Sequence, residues 1–485
     1  MQNARFVGID VGTTSVKAAV IDETGQVVSC FSQCYPTQRR AGGIVEQDAT
    51  DWLRLVNQAL VEMDLDGVVA VGLTSQVNTH VFLDANGAAL MPAIVWQDGR
   101  AQLVASKLDA QVTTDDKLKW WGAPMPIDAS HACSRMAWVA ENEPDIWGKT
   151  RWVMLPKDYV AFHLTGVPAT DAVSSIGLVD QALAYVPDIL ELVPGALDRA
   201  APLNGVMEPV GMIKYGPLKG VPLICGTMDA WSGLVGTGGA QDGTSMYLSG
   251  TSEILGISSQ TVVPTPGAIV FPDYDGIRLH AAPTQSGGDA KMWFAQTHGM
   301  TLDEMTALVS SSPPNTGTPL FLPQLQGERA PVWDADLRAA FLGVSRSTGQ
   351  GDFARAVYEG VALAARMALE TLQASADIKS DVILCGGGGF KSDPWNQIRA
   401  DILGAELGVL ASGEPGVLGA AMMAAVGAGH FEHIHEALGA LATYDRTYTP
   451  DPAHRARSDD LFALYGEAIT LTGELGKRLT QLNAE

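Results

Sequence analysis

Phe6-Val7-Gly8-Ile9-Asp10-Val11-Gly12-Thr13-Thr14-Ser15-Val16-Lys17 is an apolar run, a glycine–threonine turn and the start of a second apolar run. About 240 residues later Met246-Tyr247-Leu248-Ser249-Gly250-Thr251-Ser252-Glu253 repeats the arrangement. Each apolar run predicts a strand, and the strand after the turn is Val16–Ile21 in one copy and Ile254–Ile257 in the other. Glycine permits unusual backbone angles and close approach, while threonine and serine add hydroxyls beside their amides. Turns of this kind form concavities that bind phosphate. Only the first copy carries an acid, Asp10, where a magnesium ion would be needed. Two such turns in two halves of one chain predict a nucleotide held between two related domains.

The bulk composition agrees with that reading. A chain of 485 residues is too long for one ordinary core. A boundary near Asp242-Gly243 divides it into 1–243 and 244–485, without a low-complexity linker. Hydrophobic residues make up 46% of the chain, and 54 acids against 31 bases give a net charge of −23. So acidic a surface disfavours nucleic acid and anionic membranes as partners. Polyphosphate would have to be held by local amides, a metal and a few cations. The apolar stretch from Val417 to Gly429 is shorter than the roughly 20 residues of a membrane span. With no leader before the first strand and five scattered cysteines (Cys30, Cys34, Cys133, Cys225, Cys385), a cytoplasmic protein with reduced thiols is expected.

Along the first half, Phe6–Asp10, Val16–Ile21 and Val27–Cys34 read as successive antiparallel strands. Asp51 to Met63 reads as a helix, with Trp52, Leu55, Val56 and Leu60 at helical spacing, and Val68 to Leu73 as a buried strand. In the second half Met246–Leu248 and Ile254–Ile257 are followed by a helix from about Asp352 to Gln373 and the strand Val382–Cys385. The pattern repeats although the letters hardly do.

Several further motifs occur in a telling order. They are Trp96-Gln97-Asp98-Gly99-Arg100, Leu155-Pro156-Lys157-Asp158-Tyr159 with Leu164-Thr165-Gly166, Gly327-Glu328-Arg329-Ala330-Pro331 and Gly386-Gly387-Gly388. The most specific is Ala339-x-Phe341-x-Gly343-Val344, seven residues, then Asp352-Phe353-x-x-Ala356-Val357-Tyr358-Glu359. Over essentially its whole length the chain resembles the FGGY family of carbohydrate kinases, on the side of its xylulose-kinase branch. The resemblance implies an α/β fold of the actin-like, hexokinase-like (ribonuclease H-like) kind. Each of its two domains is a mixed β-sheet flanked by helices, with an interdomain cleft. It also implies phosphoryl transfer from ATP to a sugar hydroxyl, with D-xylulose giving D-xylulose 5-phosphate, in xylose metabolism.

The same resemblance makes Asp229, in Gly226-Thr227-Met228-Asp229-Ala230-Trp231, the catalytic base. A carboxylate following the strand Pro222–Cys225 suits that role. The structural alternative is a cap on a helix beginning at Trp231. Asp10 would hold Mg2+ through water, since magnesium keeps several of its waters. Gly12, Thr13, Thr14, Gly250 and Thr251 would contact the phosphates. Gly288, Gly387, Gly388 and Ser392 would line the adenosine side of the ATP site. The run Gly386–Gly389 is no dinucleotide fingerprint, because its third glycine is missing, and no Walker-type GxxxxGK[ST] occurs. Small molecules, ATP and a sugar or polyol, are the expected partners, and a homodimer is an allowed assembly.

On the sugar side Gln76, Asn78, His80, Asp98 and Arg100 are polar candidates, and Trp231 could stack on a sugar face. Xylulose kinases read Met-His after the glutamine and Asn after the catalytic aspartate. Here Val77, Asn78 and Ala230 stand in those places. Sites built to bind hydroxyls reject mismatched ligands strongly. Another ketose or polyol (ribulose, xylitol, erythritol, glycerol) is therefore the alternative substrate. From a different class, an actin- or chaperone-like switch ATPase shares the fold. The histidine group His430, His433 and His435 lacks metal-site spacing and reads as a solvated helix end.

Overall fold

The computed structural model describes residues 4–314 and 317–484. The chain forms two compact units. One comprises Met1–Ala240, Val270–Gly276 and Pro415–Ala442, and the other Gln241–Ile269, Ile277–Glu414 and Thr443–Glu485. The first break falls three residues before the expected boundary, but the units are not contiguous halves. Two later segments return to complete the first.

In the first unit β1 (Arg5–Val11), β2 (Ser15–Asp22) and β3 (Val27–Cys34) form the expected antiparallel meander. Helix α1 (Ala49–Glu62) is capped by Asp48, whose carboxylate accepts the Thr50 N–H at 2.9 Å. Its apolar face of Trp52, Leu55, Val56 and Leu60 lies in the core with β1 and β2. β4 (Val68–Ser75) then pairs parallel to β1. After a long insertion, β5 (Pro209–Met212) and β6 (Pro222–Met228) finish the sheet in the order β5-β6-β4-β1-β2-β3. β6 is parallel to β4 and antiparallel to β5. α2 (Asp229–Gly236) follows directly, so the helix begins at Asp229 and not at Trp231.

The second unit repeats this plan. β7 (Ser245–Ser249), β8 (Glu253–Ser258) and β9 (Leu279–Pro283) form an antiparallel meander. α3 (Gly288–Thr297) and the 27-residue α4 (Gln350–Ala376) precede β10 (Val382–Gly386), which pairs parallel to β7. α5 (Asp393–Leu403) leads to β11 (Glu406–Leu410), parallel to β10. The chain then leaves for α6 (Pro415–Gly427) and returns as β12 (Tyr444–Tyr448), antiparallel to β11, and the 30-residue α7 (Arg455–Ala484). Read from the meander outward, both sheets run antiparallel, antiparallel, parallel, parallel, antiparallel.

α6 explains why the first unit needs a distant segment. A Cβ built on Gly8 would lie 1.9 Å from Val417 O, and one on Gly72 would lie 2.0 Å from Ala420 O. Gly236 and Gly419 show the same exclusion, each 1.9 Å from a backbone oxygen of α6 or α2. Backbones that touch so closely tolerate no side chain between them. The all-apolar run is thus a helix buried among β1, β4 and α2. Among the described residues no helix is long and apolar enough to cross a membrane.

Candidate active site

Hydrogen bonds from beneath fasten the first glycine–threonine turn. Gly12 N–H donates to Ser15 O at 3.1 Å, and Tyr35 N–H to Thr14 O at 3.2 Å. The Tyr35 hydroxyl donates to Gly12 O, Gln47 Nε2 to Thr13 O at 2.7 Å, and Trp96 Nε1 to Thr13 Oγ1 at 3.0 Å. The carbonyls and one hydroxyl are therefore spent. Among the described residues, the amides of Thr13 and Thr14 and the exposed Thr14 hydroxyl engage no partner. Donors left open on a fixed turn are what an anionic ligand requires.

Asp10, one residue from the end of β1, stands beside this turn. A Cβ on Gly12 would sit 3.8 Å from either Asp10 carboxylate oxygen, and one on Gly416, at the start of α6, 3.2 Å from Oδ2. Side chains at either glycine would fill the cradle around the carboxylate. A carboxylate approached this closely by two glycines offers the hard oxygen that magnesium takes, keeping several of its waters. Among the described residues no group of three or more His, Cys, Asp or Glu could hold a metal alone.

Asp229 is placed by a bulge. Gly226 adopts φ +63°, the β6–β4 register shifts between Ile224 and Thr227, and a Cβ there would lie 1.6 Å from Leu73 O. Bulges redirect a strand end. Here the strand turns into α2 with Asp229 half-buried at its first position, while Met228, not Asp229, is the N-cap. Its Oδ1 accepts the Ala230 N–H at 2.8 Å. Two residues earlier, the Thr227 hydroxyl donates to Asp171 at 2.8 Å, and Asp171 pairs with the buried Lys157 at 2.7 Å. Lys157 also meets Asp158 at 2.7 Å. Burial alone would lower the Lys157 pKa, but the two carboxylates raise it well above its usual value. The ammonium group stays charged and ties β6 down from behind.

The sugar-side candidates separate into two groups. Gln76 reaches the phosphate turn indirectly, donating to Gln47 Oε1 at 2.8 Å and accepting from Thr79 at 3.1 Å. Asn78 adopts φ +55°, is half-buried, and donates to Ser130 Oγ at 3.3 Å. Buried His80 is held neutral, its pKa pushed down to about 3 by burial and then by Arg135. Asn78 and His80 line a cavity of about 30 Å³ shared with Asp158, Ser174 and Tyr185, room for a water or two.

The other three are engaged by the protein itself. Asp98 is buried and accepts from Val45 N–H at 2.6 Å and from the Arg100 guanidinium at 2.7 and 2.9 Å. Arg100 also pairs with Glu46 at 2.7 Å and lies over Trp138. These two lock the segment around Glu46 to the Trp96 segment. Trp231, expected as a stacking surface, is wholly buried edge-on against Tyr274, with 5.9 Å between ring centroids. In this structure Asp98 and Arg100 are engaged by protein partners, and the Trp231 ring is covered by its own unit.

In the second unit the turn is built alike. Gly250 N–H donates to Ser252 O at 3.0 Å, while Gly288 N–H and Asp289 N–H hold Gly250 O and Thr251 O at 3.0 and 3.1 Å. Thr251 is exposed, and its amide engages no partner among the described residues. Gly287 and Gly288 are needed here, since their Cβ atoms would come within 2.6 and 2.5 Å of the turn's carbonyls. Gly387 (φ +99°) crosses over Ser249 O, whereas a Cβ on Gly388 would meet open space, and Ser392 occupies the N-cap position of α5 without a side-chain capping bond. Beneath lies a pair that sequence reasoning missed. Buried Glu253 meets buried Arg399 at 2.5 Å and accepts from Ser249 at 2.9 Å and from Tyr247. Arg399 lies 3.4 Å over Trp395, and Lys291 lies 3.5 Å over the same ring. Burial and then Arg399 push the Lys291 pKa down to about 7. Gly416 and the Lys157–Asp171 pair were also missed. The small-residue spacing Gly416/Gly419 signals the first, and Lys157 stands in the motif Leu155–Tyr159, but nothing local in the sequence pairs it with Asp171.

Fold and site together define a carbohydrate kinase. The chain belongs to the FGGY family of carbohydrate kinases, whose N-terminal domain matches residues 5–236 and whose C-terminal domain matches 246–428. It is 28% identical over 491 residues to a xylulose kinase of Escherichia coli (strain K12), covering 96% of this chain and 99% of that one. A glycerol kinase of Leifsonia xyli is 27% identical over 506 residues, covering 96% and 97%. The crystal structure of ligand-bound xylulose kinase from Lactobacillus acidophilus has the same fold, with a TM-score of 0.88, 24% identity, and 97% and 98% coverage.

Proposed function

We propose that the chain transfers the γ-phosphoryl group of ATP to a hydroxyl of D-xylulose, giving D-xylulose 5-phosphate and ADP. The observation that carries this reading is the pair of like-built turns with open amides, together with a carboxylate at the bulged end of β6. Asp229 takes the proton of the sugar hydroxyl as its oxygen bonds to the γ-phosphorus. The bond from that phosphorus to the bridging oxygen breaks, and ADP leaves with the electron pair. The first unit thus supplies the base, the sugar contacts and one phosphate turn, and the second unit binds ATP. Thr13, Thr14 and Thr251, with Gly12 and Gly250, donate to phosphate oxygens on which charge accumulates. Gly288, Gly387, Gly388 and Ser392 border the nucleotide. Asp10 would hold Mg2+ through water, and the ion would supply charge neutralisation on the phosphates. Because ATP is an intracellular substrate, the enzyme works in the cytoplasm.

Gln76, Asn78 and His80 would set the sugar. The specific observation favouring another ketose or a polyol is Asn78, which turns its amide to Ser130 where the branch carries histidine. The test is ADP release with magnesium-ATP across pentuloses, pentitols, tetritols and glycerol. D-xylulose should raise turnover far above background. A different compound doing so would reassign the substrate, and turnover blind to every compound would overturn the kinase reading in favour of a switch ATPase.

A further inference from the structure

Lys291, in the first turn of α3, is a buried cation without a counter-charge of its own. It is only 9% exposed. Among the described residues its ammonium makes no hydrogen bond and no ion pair. It rests instead on aromatic faces, 3.5 Å from the ring centroid of Trp395 and 5.0 Å from that of Tyr358. Such contacts offset part of the lost hydration, but an uncompensated buried charge remains costly. Methionine would fill the same slot without that cost, so packing alone does not account for a lysine here.

The groups that face Lys291 do not relieve it. From β8 comes Glu253, whose carboxylate already accepts from Ser249 and Tyr247 and meets Arg399 at 2.5 Å. From α5 comes Arg399, a second cation on the same Trp395 ring. Burial first, and then this guanidinium, draw the proton off Lys291, to a pKa of about 7. From α4 comes Tyr358, hydrogen-bonded to the Thr306 hydroxyl at 2.8 Å. Burial keeps it protonated, as it does Tyr247 on β7 and Cys385 on β10. Asp303 acts on Tyr358, and Asp289, on α3 itself, turns back to accept the Gly287 N–H at 3.1 Å. The cluster therefore sets two cationic side chains, Lys291 and Arg399, against the one carboxylate of Glu253.

Next to this surplus stands the second glycine–threonine turn. Gly288 and Asp289 hold its carbonyls through their N–H groups at 3.0 and 3.1 Å. Lys291 follows Gly288 by three residues, about 4.5 Å along the helix. Arg399 donates both to Ser249 Oγ, beside the turn, at 2.6 Å and to Gly389 O, in the glycine loop, at 3.1 Å. The Ser392 hydroxyl, at the head of the helix that carries Trp395 and Arg399, is also buried without a hydrogen-bond partner. The turn has no acid like Asp10 before it, so a cation from the protein suits it where a metal ligand is lacking.

We propose, resting on the kinase reading above, that Lys291 is a positioning residue for the nucleotide, its buried ammonium answering the phosphate charge on the Gly250–Thr251 turn. Nucleotide and proton are then taken up together. At an effective dielectric of about 20, a phosphate charge about 10 Å away makes an ammonium about tenfold harder to deprotonate. Calorimetry of magnesium-ADP binding to the full chain, in buffers of different ionisation heat, reads this linkage. The natural chain should take up a fraction of a proton at about pH 8 and lose affinity as the pH rises from about 6.5 to about 9. Lys291→Met should take up none. It should bind about tenfold more weakly at about pH 6.5, a loss of about 1.4 kcal/mol, and match the natural chain at about pH 9. Its Tm should not fall, because methionine fills the slot without a charge. Lys291→Arg, which stays charged, should restore affinity and remove its dependence on pH. Proton uptake unchanged in Lys291→Met, or binding by the natural chain without uptake, would overturn the role of Lys291 and leave the kinase reading standing. No binding of magnesium-ADP at any pH would remove the kinase reading and this role with it.

Discussion

Asp229 occupies its place because Gly226 has no side chain and the bulge it allows turns β6 into α2. As the proposed base it touches the reacting hydroxyl, so Asp229→Asn should lower sugar-dependent turnover by about 10²–10⁴-fold. ATP binding, followed by fluorescence or calorimetry, should persist. Retained turnover would remove Asp229 as the base. His80 gives a second prediction at this scale. Its folded pKa of about 3 lies below the ordinary value near 6.5, chiefly through burial. The unfolded chain therefore binds a proton that the folded chain refuses. Its contribution to stability is complete above pH 6.5 and falls by about 1.4 kcal/mol per pH unit below it. Urea titrations from pH 7 to 5 should show stability falling more steeply for the natural chain than for His80→Gln, and equal slopes would refute a neutral buried His80. Local geometry was legible in the sequence, such as the two glycine–threonine turns between paired strands. Asp98 and Arg100 were not, because their partners Val45 and Glu46 lie about fifty residues away. Polarity alone does not tell a ligand contact from a buried brace.

Helices show the same division between what is local and what is not. The periodic face of α1 announced that helix to within two residues at its start, where Asp48 and Thr50 set the cap. α6 was visible as an apolar run, but its position was not. Its neighbours Gly8, Gly72 and Gly236 lie between about 180 and 410 residues earlier, and a glycine's need for closeness leaves no periodic mark. Gly419→Ala places a Cβ 1.9 Å from Ser232 O and should destabilise the protein by about 1–3 kcal/mol. Gly439→Ala has open space around it and lies in the helix Ile434–Leu441, so it should stabilise by about 0.5–1 kcal/mol. Thermal unfolding of the two variants separates close packing from a general effect of glycine replacement. A Gly419→Ala protein as stable as the natural one would refute the contact.

For the molecule as a whole, the repeat of sheet order and strand direction was legible from two turns and their flanking strands. The return of residues 270–276 and 415–442 to the first compact unit was not. A fragment ending at Ala240 lacks α6 and exposes the glycine-lined face of β1 and β4. Expressed alone it should show strand and helix content by far-ultraviolet circular dichroism without cooperative thermal unfolding. A fragment that melts cooperatively would mean that the first unit folds without its late segment. The same feature bears on how the protein is made. A nascent chain usually folds from its N-terminus while synthesis proceeds at about 5–20 residues per second. Here the earliest strand leaves the ribosome and must wait about four hundred residues, some 20–80 seconds at that rate, for the helix that covers it. During that interval the cell holds an unfinished, sticky half-protein, and chaperone supply rather than translation speed should set the yield of active enzyme.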